Sequence, residues 1–138
     1  MTYARREPLR ARILIVEDNA DLRRVLSEIL QYEGYEVLSA SSAEEALTML
    51  EEFDESPQIV ISDILMEGMN GCDFLTAIRA NEDWRTLPVL FLSGHTQAQD
   101  ICGSAGFQPD AFVEKPFTIQ DLVATIKSTI AGGHVAPD

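Results

Sequence analysis

Five short apolar runs, each followed by a stretch with helical spacing, limit the folds open to this chain. Residues 12–17 are rich in Val, Ile and Leu without alternation, as a strand buried on both faces should be. From Asn19 to about Glu33, Leu22, Val25, Leu26, Ile29 and Leu30 recur at helical spacing, and Gly34 stops the run. Residues 35–40 read as a second strand. Ser42, with Glu45 three residues on, is a capping box opening a helix through Ala46, Leu47 and Leu50 to about Phe53. Residues 58–62 form a third, continuously apolar strand. After a loop with Gly68 and Gly71, a helix from Cys72 to about Asn81 turns Phe74, Leu75 and Ile78 inward. Residues 87–92 are a fourth strand, 96–105 a polar and weakly patterned helix, and 110–114 a fifth strand. Thr118 caps a last helix carrying Leu122, Val123, Ile126 and Ile130. Such alternation predicts a parallel sheet with helices on both faces, and right-handed crossovers make it a doubly wound α/β fold. The pattern occupies residues 12–131. It leaves a basic arm at 1–11 and a tail at 132–138 that contains Gly132, Gly133 and Pro137.

A length of 138 residues suits one domain, which needs no disulfide or metal staple to hold a core. Cys72 and Cys102 are too few for a disulfide framework and lack the spacing of a zinc site, so both are expected as reduced thiols. No apolar run reaches the length of a membrane span or of a signal-peptide core, so a cytoplasmic chain is expected. The formal charge is −13, from 23 acids and 10 bases, and Arg5, Arg6, Arg10 and Arg12 lie within the first twelve residues. The body is therefore more acidic still, which opposes nucleic-acid binding and suits a cation.

In open α/β sheets the ligand site lies beyond the carboxyl ends of the strands. The first predicted strand ends in Glu17-Asp18, the third in Asp63, the fourth in Ser93-Gly94 and the fifth in Glu114-Lys115-Pro116. Three carboxylates gathered on one rim repel, by ~4 kcal/mol for a pair 4 Å apart at an effective dielectric of 20. A magnesium ion would relieve that repulsion, because it takes carboxylate oxygens and completes its shell with water and phosphate. Lys115 offers a compact positive charge for phosphate and Ser93 a hydroxyl. An aspartate can accept a phosphoryl group covalently, a reaction governed by positioning and charge neutralisation.

Ile13–Asn19, Ile59–Met66, Gly68-Met69-Asn70-Gly71, Phe91-Leu92-Ser93-Gly94 and Phe112–Phe117, each at a predicted strand end, together resemble the receiver domain of two-component response regulators. The resemblance extends from about Arg12 to about Ile130. It implies the flavodoxin-like strand order 2-1-3-4-5. It further implies that Asp63 is the phosphoacceptor, drawing on a phosphohistidine of a sensor histidine kinase or histidine phosphotransfer protein. Mg2+, with Mn2+ able to substitute, would be held by Glu17, Asp18, Asp63 and the backbone carbonyl of Leu65. Ser93, Gly94 and Lys115 would bind the phosphoryl oxygens. Ser93 and Phe112 would act as the switch, and the bond before Pro116 would be cis. The fourth helix, fifth strand and fifth helix would present the readout face to a downstream protein. Weak intrinsic phosphotransfer and autodephosphorylation, a monomer or weak dimer, and no direct contact with nucleic acid or membrane complete these expectations.

Four positions depart from the family pattern: Glu67 in place of proline, Leu65 where many relatives are polar, Ser93 for threonine and Phe112 for tyrosine. Leu65 also argues against an aspartyl-phosphate phosphatase, which needs a second aspartate there. An FMN carrier of the same fold needs a phosphate loop after the first strand, and the acidic 17–21 segment would repel phosphate. A degenerate docking receiver is disfavoured by the intact acids, hydroxyl and lysine. Gly71 is expected for backbone geometry, Met66 and Met69 for loop packing, and His95 and His134 as inert.

Overall fold

The computed structural model describes residues 11–93, 95–103 and 107–132. The elements are β1 (Arg12–Val16), α1 (Ala20–Tyr32), β2 (Glu36–Ala40), α2 (Ala43–Glu52) and β3 (Ile59–Ser62). They continue with α3 (Gly71–Ala80), β4 (Val89–Phe91), α4 (His95–Cys102), β5 (Ala111–Phe112) and α5 (Ile119–Gly132). The strands make one sheet in the order β2-β1-β3-β4-β5, and every pairing is parallel.

Helix starts follow local side-chain chemistry. Asn19 accepts from the Leu22 amide, and Asn70 accepts from the Asp73 amide. Thr118 likewise accepts from the Asp121 amide. Each such cap contributes about 1 kcal/mol. The capping box at α2 is displaced by one residue. Ser42 Oγ accepts from the Glu45 amide, but the Glu45 carboxylate reaches back to the amide and hydroxyl of Ser41.

Alternate residues of the buried strands feed two cores. Leu14, Val16, Val60, Val89 and Phe91 pack with α2, α3 and Ala98 of α4. Ile13, Ile15, Ile59, Ile61, Leu90 and Leu92 pack with α1 and α5. The register aligns Val16 with Ala40 and Ser62, Ser62 with Phe91, and Phe91 with Phe112. The residues that follow this row therefore emerge along one rim.

Several expectations need correction. β4 is shorter than 87–92: Pro88 has no amide to donate to the ladder, although its carbonyl still accepts from Val60. β5 is shorter than 110–114, because the Asp110 carboxylate is drawn to Arg79 and the Val89 amide. α4 begins at His95 and stops at Cys102, where Gly103 takes φ +81°, a conformation that favours glycine. Val25, one of the apolar residues at helical spacing in α1, is exposed. Cys72 and Cys102 are not separate thiols: they form a disulfide from α3 to α4, with Cα atoms 5.5 Å apart. The spacing of two lone cysteines carried no sign of this; the pairing follows from how the two helices pack. The arm at residues 1–10, Gly94, Ala105, His134 and the rest of the tail beyond Gly132 lie outside the described residues.

Candidate functional site

Asp63 leaves β3 at the centre of the sheet and is largely buried. Its Oδ1 accepts from the Ile64 amide at 2.7 Å, and its Oδ2 accepts from Lys115 Nζ at 2.9 Å. Behind it, Ser62 Oγ donates to the Asp63 carbonyl. Gly71 lies so close that a Cβ there would sit 2.7 Å from that carbonyl oxygen and 2.8 Å from Ile64 Cα. The Gly71 amide donates to the Ile64 carbonyl at 2.8 Å, so the turn beneath Asp63 closes on a residue with no side chain.

Glu17 continues β1 and is 2% exposed. Its Oε2 accepts from the Asn19 amide, whereas its Oε1 is buried with no hydrogen-bond partner among the described residues. Burial raises the Glu17 pKa above its ordinary value, and the Asp63 and Asp18 carboxylates push the same way. The Asn19 amide and the Lys115 ammonium oppose them. An orphaned buried carboxylate oxygen beside two further acids is the donor set a hard divalent cation satisfies. The acids do not yet form a cage: among the described residues, no three of His, Cys, Asp and Glu are disposed to hold an ion as they stand. Asp18 is turned aside, with its Oδ2 accepting from the Glu67 amide at 3.0 Å. Proline at position 67 could not supply that donor, so the departure from the family pattern there has a structural consequence.

Ser93 is buried beyond β4, and with Lys115, Thr96, Gln97, Asp100 and Glu114 it lines a cleft of about 400 Å³. The Lys115–Pro116 bond is cis. Phe112 is half-buried, edge-to-face with Phe91 at 6.2 Å between centroids. The Leu65 side chain is exposed. Glu44 of α2, which sequence reasoning passed over, accepts from the Met69 amide and lies against Gly68 at φ +77°. It pins the loop that follows Asp63.

Residues 13–127 match the response regulator receiver domain family. The chain belongs to that family. Among similar proteins, the DNA-binding response regulator MtrA of Mycobacterium tuberculosis is 30% identical over 90% of this chain. That match takes in 52% of MtrA, so the chain spans about half the length of this relative. The signal receiver domain of a histidine kinase from Syntrophus aciditrophicus is 30% identical, with a TM-score of 0.79 over 93% of this chain and 94% of that one. TrrA of Thermotoga maritima, a response regulator solved in complex with Mg2+ and BeF, is 30% identical with a TM-score of 0.73. It matches over 86% of this chain and 97% of its own. The order 2-1-3-4-5 with five helices agrees with the doubly wound fold expected from the strand–helix alternation and with the strand order implied by the receiver-domain resemblance. Among the described residues no helix of this receiver domain is long and apolar enough to cross a membrane.

Proposed function

We propose that Asp63 accepts a phosphoryl group from a phosphohistidine and that the chain passes on the resulting change of shape. The observation that carries this reading is Lys115 Nζ held 2.9 Å from Asp63 Oδ2 at the rim, with the buried, unpartnered Glu17 Oε1 close by. In the step itself a carboxylate oxygen of Asp63 attacks phosphorus, the P–N bond to the donor imidazole breaks, and the ring nitrogen keeps the electron pair. Lys115 then neutralises phosphoryl charge as a point cation. Ser93, across the cleft from Lys115, donates its hydroxyl to a phosphoryl oxygen.

Glu17, Asp18, Asp63 and the Leu65 carbonyl would hold Mg2+, or Mn2+ in its place. The ion would offset charge on the acceptor and the phosphoryl group. Glu17 Oε1 is already free for it, and Asp18 becomes free by releasing the Glu67 amide. The magnesium-containing complex of TrrA supports this assignment by similarity. The donor is a sensor histidine kinase or phosphotransfer protein of the cytoplasm. The receiver unit comprises residues 12–131, with readout through α4, β5 and α5. Phe112 is the switch aromatic on that face, packed on Phe91 in the state described.

The test is labelling by acetyl phosphate in magnesium. The native chain should take up one acid-stable, base-labile phosphoryl group and Asp63→Asn none. Undiminished labelling of Asp63→Asn would move the acceptor elsewhere.

A further inference from the structure

The disulfide between Cys72 and Cys102 has no part in phosphoacceptor chemistry, yet it spans the segment that chemistry uses. Cys72 is the second residue of α3, directly after the Gly71 that closes the turn under Asp63. Cys102 is the last residue of α4. The two cysteines are 30 positions apart, the segment between them includes β4 and Ser93, and α4 begins two residues beyond Ser93. The ring they close therefore contains one wall of the site.

Among the described residues, apolar attachment of α4 is slight. Of its described side chains only Ala98 is buried, while Ile101 and Cys102 are half-buried against the core. Thr96, Gln97, Gln99 and Asp100 are exposed. A helix with so little apolar contact is free to shift unless something else ties it down. The bond to Cys72 ties its far end to α3, which buries Phe74, Leu75 and Ile78.

We propose that Cys72 and Cys102 are a reversible thiol–disulfide pair that sets how far α4 can move when the site is phosphorylated. The proposal rests on the phosphoacceptor reading above. A low-molecular-weight disulfide such as oxidised glutathione is the oxidant. One cysteine thiolate attacks a glutathione sulfur and expels glutathione thiolate, leaving a mixed disulfide. The second cysteine thiolate attacks the protein sulfur of that intermediate and expels the other glutathione. One S–S bond forms and one breaks, and the two cysteine protons end on two glutathione thiols. In a reducing compartment such pairs are transient and serve as sensors rather than staples, which suits a site whose response must be reversible.

The experiment uses the full chain equilibrated in reduced or oxidised glutathione. It is quenched with iodoacetamide and weighed, then titrated with beryllofluoride and Mg2+ while amide shifts are followed. The reduced chain should take two alkyl groups and the oxidised chain none. Amides near Asp63 should respond in both forms. Those of residues 96–102 should move in the reduced form and move at least about fivefold less in the oxidised form. Cys72→Ser and Cys102→Ser should each behave as the reduced form whatever the buffer. Two alkyl groups in the oxidised sample, or equal α4 shifts in both forms, would overturn the proposal. Silence around Asp63 in the reduced chain is a separate result: it overturns the phosphoacceptor reading and the control built on it, whatever the alkylation shows.

Discussion

Lys115 Nζ donates to Asp63 Oδ2 at 2.9 Å, joining the rim ends of the third and fifth strands across 52 residues of sequence. The lysine side chain is 40% exposed and the aspartate 13%, so the pair is screened on one side. Ion pairs of that kind contribute about 0–1 kcal/mol. Lys115→Met should therefore leave thermal stability nearly unchanged. It should keep magnesium binding but abolish beryllofluoride-induced amide shifts at Phe112. Undiminished shifts at Phe112 in this variant would take Lys115 out of the transmission path.

Magnesium should be read most directly at Glu67. Its amide donates to Asp18 Oδ2, so an ion drawing on that carboxylate should disturb the bond. Titration with Mg2+ should shift the Glu67 amide resonance and speed its exchange with solvent, and chelation should restore both. Asp18→Ala should already show the exchange-accelerated state without the metal. A Glu67 signal that ignores Mg2+ would mean Asp18 is not a ligand.

Gly71→Ala would place a methyl 2.7 Å from one backbone atom and 2.8 Å from another, neither of which can swing aside. The turn beneath Asp63 must then open. Overpacking of this sort costs typically ~1–3 kcal/mol. Urea unfolding should show that loss with an unchanged m-value, and acetyl phosphate labelling should slow. Gly132, with nothing near its absent Cβ, should accept alanine without either effect.

Glu45 predicts a pH dependence. The Ser41 amide and hydroxyl hold its carboxyl below the ordinary value of 4.5. The folded chain thus binds that proton less readily than the unfolded chain, so the stabilisation is present above pH 4.5 and is lost as pH falls below it. Glu45→Gln should be less stable than the native chain at pH 7, by a small margin because the group is exposed, and the two should converge near pH 3. A gap that stays constant from pH 7 to pH 3 would assign the effect to packing.

The central strands were legible because Ile13 to Val16 and Ile59 to Ile61 are buried on both faces, which leaves an unbroken apolar run. The rim was legible for a related reason: a carboxylate directly after such a run can only emerge at the sheet's end. The sheet edge was less so. Asp110 looks like the first residue of a strand, but its carboxylate bridges Arg79 and the Val89 amide, a partnership 31 residues apart with no local pattern. Position 67 was noticed as acidic, while its contribution proved to be a backbone amide, which any residue but proline provides. Glu44 and the cysteine pair were hidden because their partners come from packing between helices and loops, not from spacing along one element.

Asp110 fastens the root of β5, through Arg79 and the start of β4, while Ala111 and Phe112 alone are paired in register beyond that point. Val113 extends that hold past the strand, its amide donating to the Phe91 carbonyl at 2.9 Å, so the outer margin is anchored at its tip as well as at its root. A displacement beside Lys115 would thus load the Val113 bond before it reached the root at Asp110.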